Sequence, residues 1–253
     1  MEKTEKTAQF MGVQIQKDRC AFRVWAPNAS AVYVVGEFNE WSQLKNPLKK
    51  EKNGCWYGEV DGAKSGDEYR YRIVTAAGEL MRNDPRSRIV TGSVGNSVIH
   101  GAAFDWGNKP FTIPALNEVI IYELHIGTFA KEPGDDPGTI ENAVRRLPYL
   151  KELGVNAIEI MPIMEFAGGY SWGYNPAYIF AIESDYGLPV CFKHFVKTAH
   201  EYGIAVILDV VYNHFGPSDL GLWQFDGWNE NNKGGRISFR CDLIHKECSW
   251  KEQ

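Results

Sequence analysis

From residue 119 onward the chain alternates between short, almost wholly apolar runs and segments with helical spacing. The apolar runs are residues 119–124, 157–160 and 204–208. Between the first two, Ile140, Ala143, Val144, Leu147 and Leu150 recur at helical intervals behind an N-cap candidate, Thr139. Between the second and third, Cys191, Phe192, Phe195, Val196, Ala199 and Tyr202 form a stripe that Pro189 opens. A strand apolar along its whole length is buried on both faces, which requires a parallel sheet with crossover helices. Pro148 should kink or split the first helix, and Gly154 and Gly203 can close each helix in the left-handed conformation.

The front of the chain has a different rhythm. Residues 21–25, 31–35, 55–60 and 69–74 read as short strands, punctuated by Pro27-Asn28, Asn53-Gly54 and Ser65-Gly66-Asp67. Short strands at this spacing predict an antiparallel β-sandwich. Residues 101–118, with Gly107, Pro110 and Pro114, read as a connector. The expected organisation is an extension over 1–18, a sandwich over 19–102, a linker over 103–118, the α/β part over 119–235, and a divergent tail over 236–253.

Composition excludes several classes. A net charge of −5 provides no basic footprint for nucleic acid and no attraction to an anionic membrane. The N-terminus is charged and lacks the apolar core of a secretory signal. The five cysteines have neither disulfide-framework nor metal-ligand spacing, so free thiols in a reducing cytoplasm are expected. Eight Trp and twelve Tyr leave room for aromatic faces that stack on sugar rings.

In a parallel α/β sheet or barrel the functional residues lie beyond the carboxyl ends of the strands. Three segments fall there: Glu123-Leu124-His125, the loop over 162–186, and Asp209 to His214. Within them LDVVYNHFGP, SWGYNPAYIFAIESDYG and YELHIGTF resemble the third-strand signature, second-strand loop and first strand of glycoside hydrolase family 13, the α-amylase superfamily. The match is with the branch that holds glycogen branching enzymes and maltooligosyltrehalose trehalohydrolases. FRVWAPNASAVYVVGEFNEWS, GDEYRYRI and NDPRSR resemble a family 48 carbohydrate-binding module, which precedes the barrel in those enzymes. Together the resemblances span residues from about 19 to 235.

The resemblance implies an immunoglobulin-like β-sandwich followed by the first three βα units of a (β/α)8 TIM barrel. It implies that the partner is an α-glucan such as glycogen, starch or a maltooligosaccharide. Tyr174 would stack on a sugar ring, His214 would hydrogen-bond the same sugar, and Asp209 would hold the site's architecture. Trp172 would line the cleft, and His125 would either line it or cap the end of the first strand. Asn213 matches a calcium ligand of many amylases; branching-type relatives often lack that calcium, and no cofactor is expected. In the sandwich, Trp41 and Trp56 are the sugar-platform candidates, while Leu80 stands where glucan-binding relatives can carry a further tryptophan.

Retaining glycosidases use a pair of carboxyl groups, nucleophile and acid/base, about 5–5.5 Å apart. In family 13 both come from strands after the third, and neither motif occurs in these 253 residues. Ser238-Phe239-Arg240-Cys241-Asp242 is like the nucleophile motif but follows Asp209 too soon to be a fourth strand. The stretch from Val119 is also shorter than the roughly 250 residues of a full barrel. The expectation is a fragment of an α-1,4-glucan-active family 13 enzyme, inactive alone; the alternatives are a glucan-binding module with a vestigial barrel, or a non-functional gene fragment.

Overall fold

The computed structural model describes residues 10–212, 215–216 and 220–229. The front half forms two antiparallel sheets. One has strand order β1-β2-β5-β4, from β1 (Gly12–Ile15), β2 (Arg19–Trp25), β4 (Lys49–Lys50) and β5 (Cys55–Asp61). The other runs β3-β6-β7, from β3 (Ala31–Gly36), β6 (Glu68–Thr75) and β7 (Gly78–Arg82), with β8 (Ser97–Val98) also paired to β6. Strand β1 lies inside the segment expected to be an extension. Its four residues pair with β2, from Gly12 opposite Arg23 to Ile15 opposite Cys20.

Alternation explains the sandwich. Val32 and Val34 on β3, and Tyr69, Tyr71 and Ile73 on β6, point inward and are buried. Phe22 and Val24 meet them from β2. The two buried tyrosine hydroxyls both donate to Asp84 Oδ2, at 2.7 and 3.2 Å. Burying a hydroxyl without a partner costs about 1–3 kcal/mol, so Asp84 is what lets two tyrosines occupy the core.

Three parallel strands follow: β9 (Ile121–Leu124), β10 (Ala157–Ile160) and, last among the described residues, β13 (Ala205–Leu208). They lie in the spatial order β13-β10-β9. Leu124 is level with Ile160, and Ile160 with Leu208. A short helix α1 (Ile126–Phe129) continues from β9. The first crossover is split as Pro148 requires, into α2 (Ile140–Arg145) and α3 (Leu147–Glu152), with the proline in the first turn of α3. Thr139 caps α2, accepting from the Asn142 backbone N–H. The second crossover is α4 (Pro189–Glu201). Helices and strands bury Leu147, Leu150, Ile158, Ile160, Phe195 and Ala199 between them. Gly154 and Gly203 have φ of 90° and 72° and close the crossovers.

The loop expected over 162–186 is a hairpin, β11 (Met164–Phe166) with β12 (Pro176–Ile182). It also joins the two halves. Ala177, Tyr178 and Ala181 enter the core of the sandwich together with Leu220, Leu222 and Phe225. Asp226 accepts from the Asn28 backbone N–H at 3.0 Å and its side-chain amide at 2.9 Å. Arg82 donates to the carbonyls of Phe225, Gln224 and Trp223. Among the described residues no helix is long and apolar enough to cross a membrane.

Candidate functional site

The rim is built on β9, β10 and β13. Ile158 and Ile160 of β10 face the helices and are fully buried. The alternate positions face the other way: Glu123 and Glu159 are level with one another and with Ile207. One step beyond β13, Asp209 keeps its backbone in the sheet through an N–H bond to the Ile160 carbonyl, 3.0 Å. Its carboxylate therefore sits at a position set by strand pairing.

Tyr174 reaches this carboxylate from the β11–β12 loop, donating its hydroxyl to Asp209 Oδ2 at 2.9 Å. Gly173 makes that approach possible. Its φ is 84°, and a Cβ there would lie 2.2 Å from the Pro162 carbonyl oxygen, so only glycine fits. The Tyr174 phenol is held above its ordinary pKa, first by this hydrogen bond, then by partial desolvation and the charges of Asp209, Glu123 and Glu159. It remains a donor throughout the neutral range. Beside it Trp172 is 72% exposed and Tyr170 74%, while Tyr174 itself is 39% exposed.

His125 lies directly after β9, and protein groups hold its ring. Its Nε2 lies 3.0 Å from the Ser171 carbonyl and 2.8 Å from the Tyr186 hydroxyl, and its Nδ1 lies 3.1 Å from Thr128 Oγ1. A carbonyl only accepts, so Nε2 carries a proton. Both ring nitrogens are occupied by protein, and the ring ties the end of β9 to the loop that bears Trp172 and Tyr174. Asn213 and His214 lie outside the described residues. Among the described residues no group of three or more His, Cys, Asp or Glu is placed to hold a metal ion.

On the sandwich the two tryptophans part company. Trp56 is 5% exposed, and its indole N–H donates to the Ala26 carbonyl at 2.9 Å. It is a core residue and not a sugar platform, because β5 turns it inward against β2. Trp41 is 38% exposed and left-handed, with φ 58°, held there by its N–H bond to the Gly36 carbonyl. A bulky residue in this region is uncommon and requires support from its surroundings.

Two features carried no sequence motif. Glu165 and Glu183, on and beside the hairpin, are almost fully buried. Glu165 accepts from the Ser184 N–H and Glu183 from the Phe166 N–H. Burial, then the charge of Glu183, pushes the Glu165 carboxyl up to about 8. The unbroken apolar and aromatic run PAYIFAI, residues 176–182, is the signal that could have revealed the second strand of the hairpin.

The rim thus sets exposed aromatic rings beside carboxylates, on parallel strands docked to a β-sandwich. Comparison with known proteins narrows this. Residues 10–87 match carbohydrate-binding module 48, the isoamylase N-terminal domain, and residues 123–226 match the alpha amylase catalytic domain. The chain thus combines a carbohydrate-binding module 48 segment with part of an alpha amylase catalytic domain. It is 39% identical over 207 residues to a malto-oligosyltrehalose trehalohydrolase of Saccharolobus solfataricus, covering 81% of this chain and 35% of the relative. It is 36% identical over 238 residues to the 1,4-alpha-glucan branching enzyme GlgB of Halothermothrix orenii, covering 88% and 38%. A crystal structure of a putative alpha amylase from Salmonella typhimurium aligns with a TM-score of 0.74 and 31% identity, covering 93% of this chain and 40% of that one. The chain thus spans about a third of the length of the curated relatives it matches.

Proposed function

We propose that this chain forms the glucan-binding front part of an α-1,4-glucan-active enzyme of the branching or trehalohydrolase type. The observation that carries the reading is the Tyr174–Asp209 hydrogen bond beside the exposed face of Trp172. An aromatic face covers the apolar C–H side of a glucosyl ring, and carboxylates accept from its hydroxyls. Glu123, Glu159 and Asp209 supply those acceptors around the Tyr174 ring. His125 acts as a positioning residue that fixes the loop, and Trp41 offers a second aromatic face on the module. The relatives' printed names, a trehalohydrolase and branching enzymes, support an α-1,4-glucan as the substrate class.

Calorimetric titration of the purified chain with maltoheptaose tests this. Binding that weakens in Trp172→Ala and Tyr174→Ala is the expected result. Binding that is absent, or unchanged in both variants, overturns it.

A further inference from the structure

The two halves of the molecule enclose a groove that the rim does not use. One lobe, of about 370 Å³, is floored by Val13, Phe180 and Pro189 and walled by Arg86, Arg88 and His100. A second lobe, of about 550 Å³, shares Val98, His100, Ile182 and Pro189 with the first. Its remaining polar lining includes Ser65, Glu68, Thr91, Ser184 and Asp185. Both volumes fall within the range of small-molecule sites, which occur preferentially at domain junctions.

The lobes differ in charge. Among the described residues neither Arg86 nor Arg88 forms an ion pair. Arg86 lies over the Phe180 ring, 4.5 Å from its centroid. The nearby carboxylate of Asp84 is already taken up by Tyr69, Tyr71 and the Arg86 backbone N–H. His100 is held below its usual pKa by burial and by the positive charges of Lys193 and Arg88. Burial, the larger cause, disfavours any charge there, whereas the Arg88 and Lys193 charges oppose a proton and attract an anion. The second lobe instead presents hydroxyls and carboxylates, the groups that recognise a polyol.

We propose that this junction groove binds a small phosphorylated sugar. The phosphate sits between Arg86 and Arg88, and the hydroxyls lie along Ser184, Asp185 and Thr91. Planar guanidinium forks suit phosphate geometry, and the Phe180 face beneath Arg86 keeps one fork aligned. A ligand there touches both the sandwich and the hairpin that carries the rim loop, so its occupancy would reinforce the docking of the two halves. The groove is separate from the rim, and its reading does not depend on what the rim binds.

The test is calorimetric titration of the full chain with glucose 6-phosphate, glucose and inorganic phosphate, each in turn. Glucose 6-phosphate should bind at least about tenfold more tightly than either part, the value of one charge-assisted hydrogen bond. Arg86→Gln and Arg88→Gln should each remove about that factor. Arg88 is exposed, so its variant folds even if loss of the Arg86–Phe180 contact disturbs the junction. Absent binding, equal binding of inorganic phosphate, or unchanged affinity in Arg88→Gln overturns the proposal. Loss of glucose 6-phosphate binding in Tyr174→Ala also overturns it, because that result places the sugar on the rim.

Discussion

The Tyr174 hydroxyl and the Asp209 carboxylate meet at 2.9 Å, joining a loop residue to the end of a parallel strand 35 positions further along the chain. The ring provides a stacking face and the hydroxyl fixes its angle, so the two functions can be separated. Tyr174→Phe keeps the face and loses the bond. Maltoheptaose affinity should fall about threefold in Tyr174→Phe and about tenfold in Tyr174→Ala, read by calorimetry.

Gly173 sets that approach through its φ of 84° and its closeness to the Pro162 carbonyl. Gly173→Ala forces the loop to shift. Maltoheptaose binding should fall at least about tenfold, while the melting temperature drops by only a few degrees because the flanking Trp172 and Tyr174 are exposed and can shift with the loop. A variant that binds normally would show that the loop geometry is unimportant.

The buried carboxyl of Glu165 makes the hairpin sensitive to pH. Its folded pKa of about 8 lies above the ordinary carboxylate value of 4.5. The folded state therefore binds the proton more tightly than the unfolded state. The resulting stability is fully present below about pH 4.5 and is lost as pH rises toward 8. Urea midpoints should fall between pH 6 and pH 8.5 in the parent chain, and this part of the slope should disappear in Glu165→Gln.

At the junction, Asp226 is buried and satisfies both the backbone and side-chain donors of Asn28. Asp226→Ala leaves those donors without their partner and should cost about 1–3 kcal/mol in chemical denaturation. It should also speed proteolysis between the two halves, since Leu222 and Phe225 are held in the sandwich core by the same segment.

Trp41 and Trp56 provide a paired control on the module. Trp56→Ala empties a core site and should destabilise the sandwich by about 3–5 kcal/mol. Trp41→Ala removes an exposed ring and should change stability by less than about 0.5 kcal/mol. If the module holds glucan, Trp41→Ala lowers retention on glycogen in co-sedimentation while the protein stays folded. Equal retention would remove Trp41 from the binding surface.

The sequence by itself determined the order of the architecture. Short apolar runs alternating with helical stripes mark strands with crossovers, so the parallel unit of β9, β10 and β13 is readable from residue types, although Ile121, Ile207 and Leu208 are partly exposed where the expectation was burial on both faces. Thr139, Pro148, Gly154 and Gly203 mark helix ends by local backbone chemistry, which needs no tertiary information. The rim position of Tyr174 and Asp209 follows from the same reading, since they come after strands whose direction is fixed.

Only the tertiary structure decided which way individual side chains face and which segments meet. Trp41 and Trp56 are alike in sequence, yet pairing of β5 with β2 buries one while a left-handed turn exposes the other. Strand β1, four residues long, is too short for a periodic signal and owes its existence to pairing with β2. For His125 the sequence left cleft lining and strand capping both open, and the fold brings its ring to Ser171, 46 positions along the chain. The contacts of Asp226 with Asn28, 198 positions apart, and the burial of Glu165 beside Glu183 arise from packing between segments. Such relations depend on which surfaces exclude water together, and that is a property of the folded whole.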